Sequence, residues 1–198
     1  MNQSQLVLAL FDHNLIKFGE VTLKSGEVTY IYADMRAAIS YPVLFKDICD
    51  KFSDKIKSLK YDFICGVPYS ALTFASAIAY AKAIPMLLKR KEAKEYGLKK
   101  ILEGEFIPGQ TCVLIEDVIT TGSSILETIE VLNEHELKVT DICILIDRHQ
   151  GGKKRLQGLG YKVHSIMNIV NVIDILHDNK RIDDTEKFKA LSCLKQME

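Results

Sequence analysis

The chain has 198 residues, 47% of them hydrophobic, enough for one buried core and short for two full domains. Lys plus Arg and Asp plus Glu balance at 26 each, so net charge gives no argument for nucleic acid or an acidic membrane surface as partner. Five cysteines, an odd number with no C-x-x-C pair, exclude a disulfide framework and a zinc knuckle and suit a reducing cytoplasm.

The N-terminal apolar run Leu6 to Phe11 lacks preceding basic residues and a small-residue cleavage site, so a short helix is expected there and no secretory signal. A strand from Phe18 to Lys24, a turn at Ser25-Gly26 and an extended Val28 to Ala33 segment form a hairpin-like lid. From Phe63 onward strands and helices alternate. Phe63 to Val67 is a strand, and Gly66 and Pro68 punctuate the turn that leads through Tyr69 into a helix over Ala71 to Ala83. Ala71 to Leu88 is the most membrane-like window, but Lys82 and Pro85 make it a core helix and a strand, Pro85 to Leu88, and not a span. The segment KRKEAKEYGLKK, Lys89 to Lys100, sets six basic residues against two acidic ones, lacks an apolar stripe and is interrupted by Gly97. It reads as a solvated loop or as a cationic lid that closes over a polyanion. A strand from Thr111 and its helix follow, then strands Val139 to Asp147 and Val163 to Met167, a helix between them and another after Asn168. This order predicts βαβ units and a mostly parallel sheet flanked by helices, an α/β fold in one domain over residues 1–198.

The most informative stretch is Thr111 to Ser124, TCVLIEDVITTGSS. The run Cys112 to Ile115 is a buried parallel strand, which places Glu116 and Asp117 at its carboxyl end, where open α/β sheets hold ligands. Two acceptor side chains there suit a pair of ribose hydroxyls. Thr120, Thr121, Gly122, Ser123 and Ser124 then supply hydroxyls, a close-approach backbone and a helix N-terminus, which suits a phosphate. Ser124 to Glu127 matches a capping box, and Ile125, Ile129 and Leu132 recur at helical spacing. Lys24 and Arg148, each at a strand end, are candidate cations for a planar ring that bears a carboxylate. None of the five histidines has metal-ligand spacing to another.

The Thr111 to Ser124 stretch resembles the phosphoribosyl pyrophosphate (PRPP) motif of type I phosphoribosyltransferases. Leu23-Lys24-Ser25-Gly26, Cys65 to Tyr69, Arg90 to Lys94 with Tyr96-Gly97, and Asp147 to Gly152 narrow the resemblance. They point to orotate phosphoribosyltransferases, in particular the form found as the N-terminal half of bifunctional UMP synthases. The resemblance implies a Rossmann-like sheet with a small hood from about residues 1–40 and part of the C-terminal region. It implies transfer of a phosphoribosyl group from PRPP to orotate, in pyrimidine biosynthesis. PRPP would be held by Tyr69, Arg90, Lys91, Lys94, Tyr96, Glu116, Asp117, Val118, Ile119, Thr120, Thr121, Gly122, Ser123 and Ser124, with Lys94 and Asp117 catalytic. Orotate would be held by Lys24, Tyr32, Ala33, Thr120 and Arg148. The turn through Pro68-Tyr69 would include a non-proline cis peptide. Mg²⁺ would arrive on the pyrophosphate with few protein ligands, and the enzyme would be a cytoplasmic homodimer with shared sites, without nucleic acid or membrane partners. Ser70, Tyr96 and Ala33 depart from the common bacterial pattern of lysine, histidine and a second aromatic residue. A transferase for another base and a PRPP-sensing regulator are the alternatives that share the motif.

Overall fold

The computed structural model describes residues 1–22, 28–91 and 101–195. Helix α1 (Gln3–Asp12) precedes the antiparallel pair β1 (Ile16–Thr22) and β2 (Val28–Ala33). The strand expected over Phe18 to Lys24 begins two residues earlier, and its last two residues lie outside the described residues. A short 3₁₀ turn, Arg36–Ser40, leads to α2 (Pro42–Ile56), an element the sequence reading does not name. The central part is β3 (Phe63–Gly66), α3 (Ser70–Lys82), β4 (Met86–Lys89), β5 (Leu102–Glu103), β6 (Thr111–Ile119) and α4 (Ser123–Glu134). It continues through β7 (Lys138–Asp147), α5 (Gly152–Gly158), β8 (Lys162–Asn168), α6 (Ile169–Asp178) and α7 (Asp184–Lys195). Among the described residues no helix is long and apolar enough to cross a membrane.

One six-stranded sheet has the order β5-β4-β3-β6-β7-β8, and only the short edge strand β5 runs antiparallel. The chain leaves β3 for β4 on one side, then returns to β6 on the other and continues outward. That reversal puts the topological switch point between β3 and β6, so the loops after these two strands flank a crevice at the strands' carboxyl ends.

Because side chains alternate along a strand, each central strand feeds two cores. Ile64, Val113, Ile115 and Cys143 pack with α2, α3 and α6 on one face, while Cys65, Leu114, Ile142 and Ile144 pack with Ile125, Ile129 and Leu132 of α4 and Leu156 of α5 on the other. The predicted buried stripe of α4 is therefore present. Phe74 of α3 stacks on Phe45 with ring centroids 5.1 Å apart and meets Phe52 at 5.9 Å, which ties α3 to α2. Losing such a fully buried ring costs about 3–5 kcal/mol, so this contact fixes the start of α3 at the crevice. The β1–β2 hairpin is backed by α7 and α1.

Two expectations are corrected. Strand β6 does not stop before Glu116, because pairing with β7 continues through Val118↔Ile146 and Ile119↔Asp147. Ser124 does not cap α4. The N-cap is Gly122 in the left-handed region (φ 77°, ψ 10°) with no side-chain capping bond, so the helix starts at Ser123. Ser124 is its second residue, and its carbonyl accepts a bond from Thr128 Oγ1 at 2.9 Å. The turn out of β6 needs a positive φ that glycine adopts without strain, and this conformation replaces the extended one a capping serine requires.

Candidate active site

The turn from β6 into α4 builds the first wall of the crevice. Glu116 and residues 118–125 line a small, predominantly polar cavity of ≈ 40 Å³. With no side chain capping α4, its first-turn N–H groups are left for a ligand, and the helix dipole favours an anion there. Thr121 Oγ1 and Ser123 Oγ lie 3.0 Å apart at the rim. The side chain of Ile119 is buried, and its carbonyl accepts the Arg148 N–H at 3.1 Å. Val118 and Ile119 therefore act by carrying Thr120 into place.

Glu116 is 7% exposed and Asp117 half-buried. Burial first, and then the neighbouring Asp117 charge, push the Glu116 carboxyl well above the usual carboxylate range. Glu116 Oε1 accepts the Asp117 N–H at 3.0 Å. The sequence reading treats both carboxyls as acceptors. In the structure the two differ: burial holds Glu116 toward its protonated form, while Asp117 is half-buried.

The turn from β3 into α3 forms the opposite wall. Gly66 is required there, since a Cβ would lie 2.4 Å from the Ala71 carbonyl oxygen. The Pro68–Tyr69 peptide bond is cis, as the resemblance implies, and Tyr69 is the N-cap of α3. Lys91 Nζ stands 5.5 Å from the centroid of the exposed Tyr69 ring, so these two predicted residues meet. Arg90 faces elsewhere. Its guanidinium pairs with Glu103 at 2.9 Å and its N–H donates to the Ile101 carbonyl at 2.8 Å, which ties both ends of the charged segment together. Lys24, Lys94 and Tyr96 lie outside the described residues.

Arg148 follows β7 directly and is 3% exposed. Its Nη2 donates to Thr29 Oγ1 and to the Ile31 carbonyl, both at 3.0 Å, which joins the sheet to β2 of the hairpin. Its Nε has no partner among the described residues. Burial lowers its pKa, yet a guanidinium keeps its charge at neutral pH. Tyr32 and Ala33, the last two residues of β2's pairing, are half-buried on the same strand, with the Tyr32 hydroxyl 3.5 Å from Arg36 Nη2.

Two contributors escape the sequence reading. Gly152, at the start of α5, donates its N–H to the Thr120 carbonyl and braces the β6–α4 turn from behind. The adjacent glycines at 151 and 152 were the available signal. Thr29, which holds Arg148, gives no local signal, because its partner is 119 residues away.

The switch-point crevice offers carboxyl groups, hydroxyls and a free helix N-terminus along one wall, and residues 40–179 match the phosphoribosyl transferase domain. The chain is 42% identical over 180 residues to the uridine 5'-monophosphate synthase of Bos taurus, which covers 90% of this chain and 38% of that protein. It is 36% identical to an orotate phosphoribosyltransferase of Caenorhabditis elegans, covering 93% of this chain and 82% of that one. A solved structure of Leishmania donovani UMP synthase superposes with a TM-score of 0.90 at 32% identity, covering 99% of this chain and 43% of that one. The chain belongs to the phosphoribosyl transferase family and, within it, to the orotate phosphoribosyltransferases. It spans about two fifths of the length of the synthases it matches.

Proposed function

We propose that the protein transfers the 5-phosphoribosyl group of PRPP to N1 of orotate, forming orotidine 5'-monophosphate and pyrophosphate in pyrimidine biosynthesis. The observation that carries this reading is the pairing of two sites at neighbouring strand ends. The Glu116-Asp117 pair and the uncapped start of α4 lie along one turn, suited to a ribose phosphate, and Arg148, buried with an unspent donor, stands at the end of the adjacent strand.

Thr120 to Ser124 hold the 5'-phosphate, while Asp117 accepts from a ribose hydroxyl and Glu116 donates to one. The N1–C1' bond forms as the bond from C1' to the pyrophosphate oxygen breaks; its electron pair leaves with pyrophosphate, and the proton on N1 passes to the departing pyrophosphate or to water. Positive charge grows on the ribose and negative charge on the leaving group, so positioning and electrostatics supply most of the acceleration. Tyr69, Lys91 and Lys94 face the pyrophosphate, with Lys94 the catalytic lysine by resemblance. Arg90 joins them when it leaves Glu103. Arg148 donates to the orotate carboxylate through guanidinium N–H groups not taken by Thr29 and Ile31, with Lys24, Thr120 and the Tyr32-Ala33 segment around the ring.

The donor set fits Mg²⁺ carried by the substrate. Asp117 offers a half-buried carboxylate beside the buried Glu116, and no cluster of three metal-binding side chains occurs among the described residues, so substrate and water oxygens would complete the shell. Bound there, Mg²⁺ would neutralise charge on the leaving pyrophosphate. The working unit is a homodimer in which the Lys89 to Lys100 segment completes the neighbouring site, and five free cysteines favour the cytoplasm. The test is orotate consumption by the purified protein with Mg²⁺ and PRPP. It should stop when ribose 5-phosphate, which lacks the leaving group, replaces PRPP, and consumption that persists would refute the proposal.

A further inference from the structure

We propose that Thr29 is the positioning residue for Arg148 and thereby sets the site's preference for a base that bears a carboxylate; this rests on the reaction proposed above. Thr29 is fully buried on β2. Its hydroxyl donates to the Ile31 carbonyl at 3.0 Å, which spends its one proton and turns its lone pairs to other donors. It receives Arg148 Nη2 at 3.0 Å and the Ile31 N–H at 3.4 Å, and Nη2 also donates to the Ile31 carbonyl. One nitrogen of the guanidinium is thus held by two acceptors on one strand.

The Nε–H beside that nitrogen is unspent. Arg148 Nε has no partner among the described residues although the side chain is only 3% exposed. An arginine whose Nη2 is fixed, with the neighbouring Nε–H left over, is prepared to donate to an anion at little further ordering cost. Without the Thr29 hydroxyl, Ile31 is the single acceptor given for that nitrogen, and the long side chain regains freedom to turn out of register with the ring. Thr29 touches neither reacting atom nor ring, so its effect on catalysis runs through Arg148.

The experiment compares steady-state kinetics of the wild type with Thr29→Val and Thr29→Ser. Valine keeps the shape and the strand preference of threonine and deletes the acceptor. The expected result for Thr29→Val is a roughly tenfold rise in KM for orotate, with KM for PRPP and kcat within about twofold, and recovery in Thr29→Ser. Unchanged KM for orotate in Thr29→Val overturns the proposal. So does a parallel rise in both KM values with a lower unfolding temperature, which marks a purely structural role. If the valine variant does not fold, Thr29→Ala against Thr29→Ser carries the same comparison, and equal KM for orotate in these two overturns it. A wild type inactive on orotate overturns the reaction and this assignment together, whereas an active wild type with an unaffected variant overturns Thr29 alone.

Discussion

Gly152 donates its N–H to the carbonyl of Thr120 at 2.9 Å, and a Cβ added to Gly152 would lie 2.3 Å from that same oxygen. The neighbour is backbone, so it yields only if the β6–α4 turn moves. The turn carries the phosphate-facing N–H groups, and small displacements of positioning groups are costly. Gly152→Ala is expected to raise KM for PRPP by about tenfold or more and to lower the unfolding temperature. Gly158→Ala is the control. Its Cβ would meet nothing within 4 Å, so stability should hold or rise by about 0.5–1 kcal/mol with KM unchanged.

The two adjacent carboxyls should respond differently to substitution. Burial and the Asp117 charge favour the protonated form of Glu116, so Glu116→Gln is the milder change and should lower kcat/KM by less than about tenfold. Asp117→Asn removes the charge and should cost on the order of a hundredfold or more. The same asymmetry has a pH signature. Above the ordinary pKa of 4.5 the unfolded chain releases this proton while the folded chain keeps it, so the native state loses stability as pH rises, until the folded carboxyl itself ionises. Glutamine does not titrate. Thermal unfolding of the unliganded protein should therefore show Glu116→Gln gaining on the wild type as pH rises above about 4.5.

The alternation of strands and helices, the β6–α4 motif and the burial of Ile125, Ile129 and Leu132 were legible in the sequence because they rest on local pattern and order. Helix α2 was equally legible. Leu44, Ile48, Phe52 and Ile56 recur every four residues after Pro42 at the helix start, and all four are buried. The capping serine was misplaced because Ser123 and Ser124 look alike to a motif, and the left-handed φ of Gly122 decides between them. The carboxyl end of β6 was missed because Glu116 and Asp117 end the apolar run, although backbone pairing with β7 goes on. The Thr29–Arg148 and Thr120–Gly152 contacts join residues brought together only by the fold, so no local pattern records them.

Arg148→Lys preserves the charge and removes the fork. A lysine ammonium on a flexible stem does not reproduce the paired donors of a guanidinium, nor the double anchor on Thr29 and Ile31. KM for orotate should rise by about ten- to a hundredfold while KM for PRPP stays within about twofold. Initial rates at saturating PRPP, with orotate varied, provide the check.

Shared sites make a prediction of their own. Lys94→Ala should lower kcat by orders of magnitude with a modest effect on PRPP binding, because a lid lysine acts on charge that develops as pyrophosphate leaves. When Lys94→Ala and Asp117→Asn chains are mixed and allowed to exchange, hybrid dimers contain one site with both groups intact. Activity should return toward about a quarter of the wild-type level at equal mixing if exchange is random. No recovery, with exchange shown by mass, would assign each site to one chain.

The most direct measurement is a competition among bases. Purified protein, PRPP and Mg²⁺ are incubated with equal orotate, uracil, hypoxanthine and adenine, and each base is followed with released pyrophosphate. The account predicts that orotate disappears first, one pyrophosphate appearing for each orotate consumed. Preferential loss of another base, or pyrophosphate release that leaves orotate untouched, would contradict it.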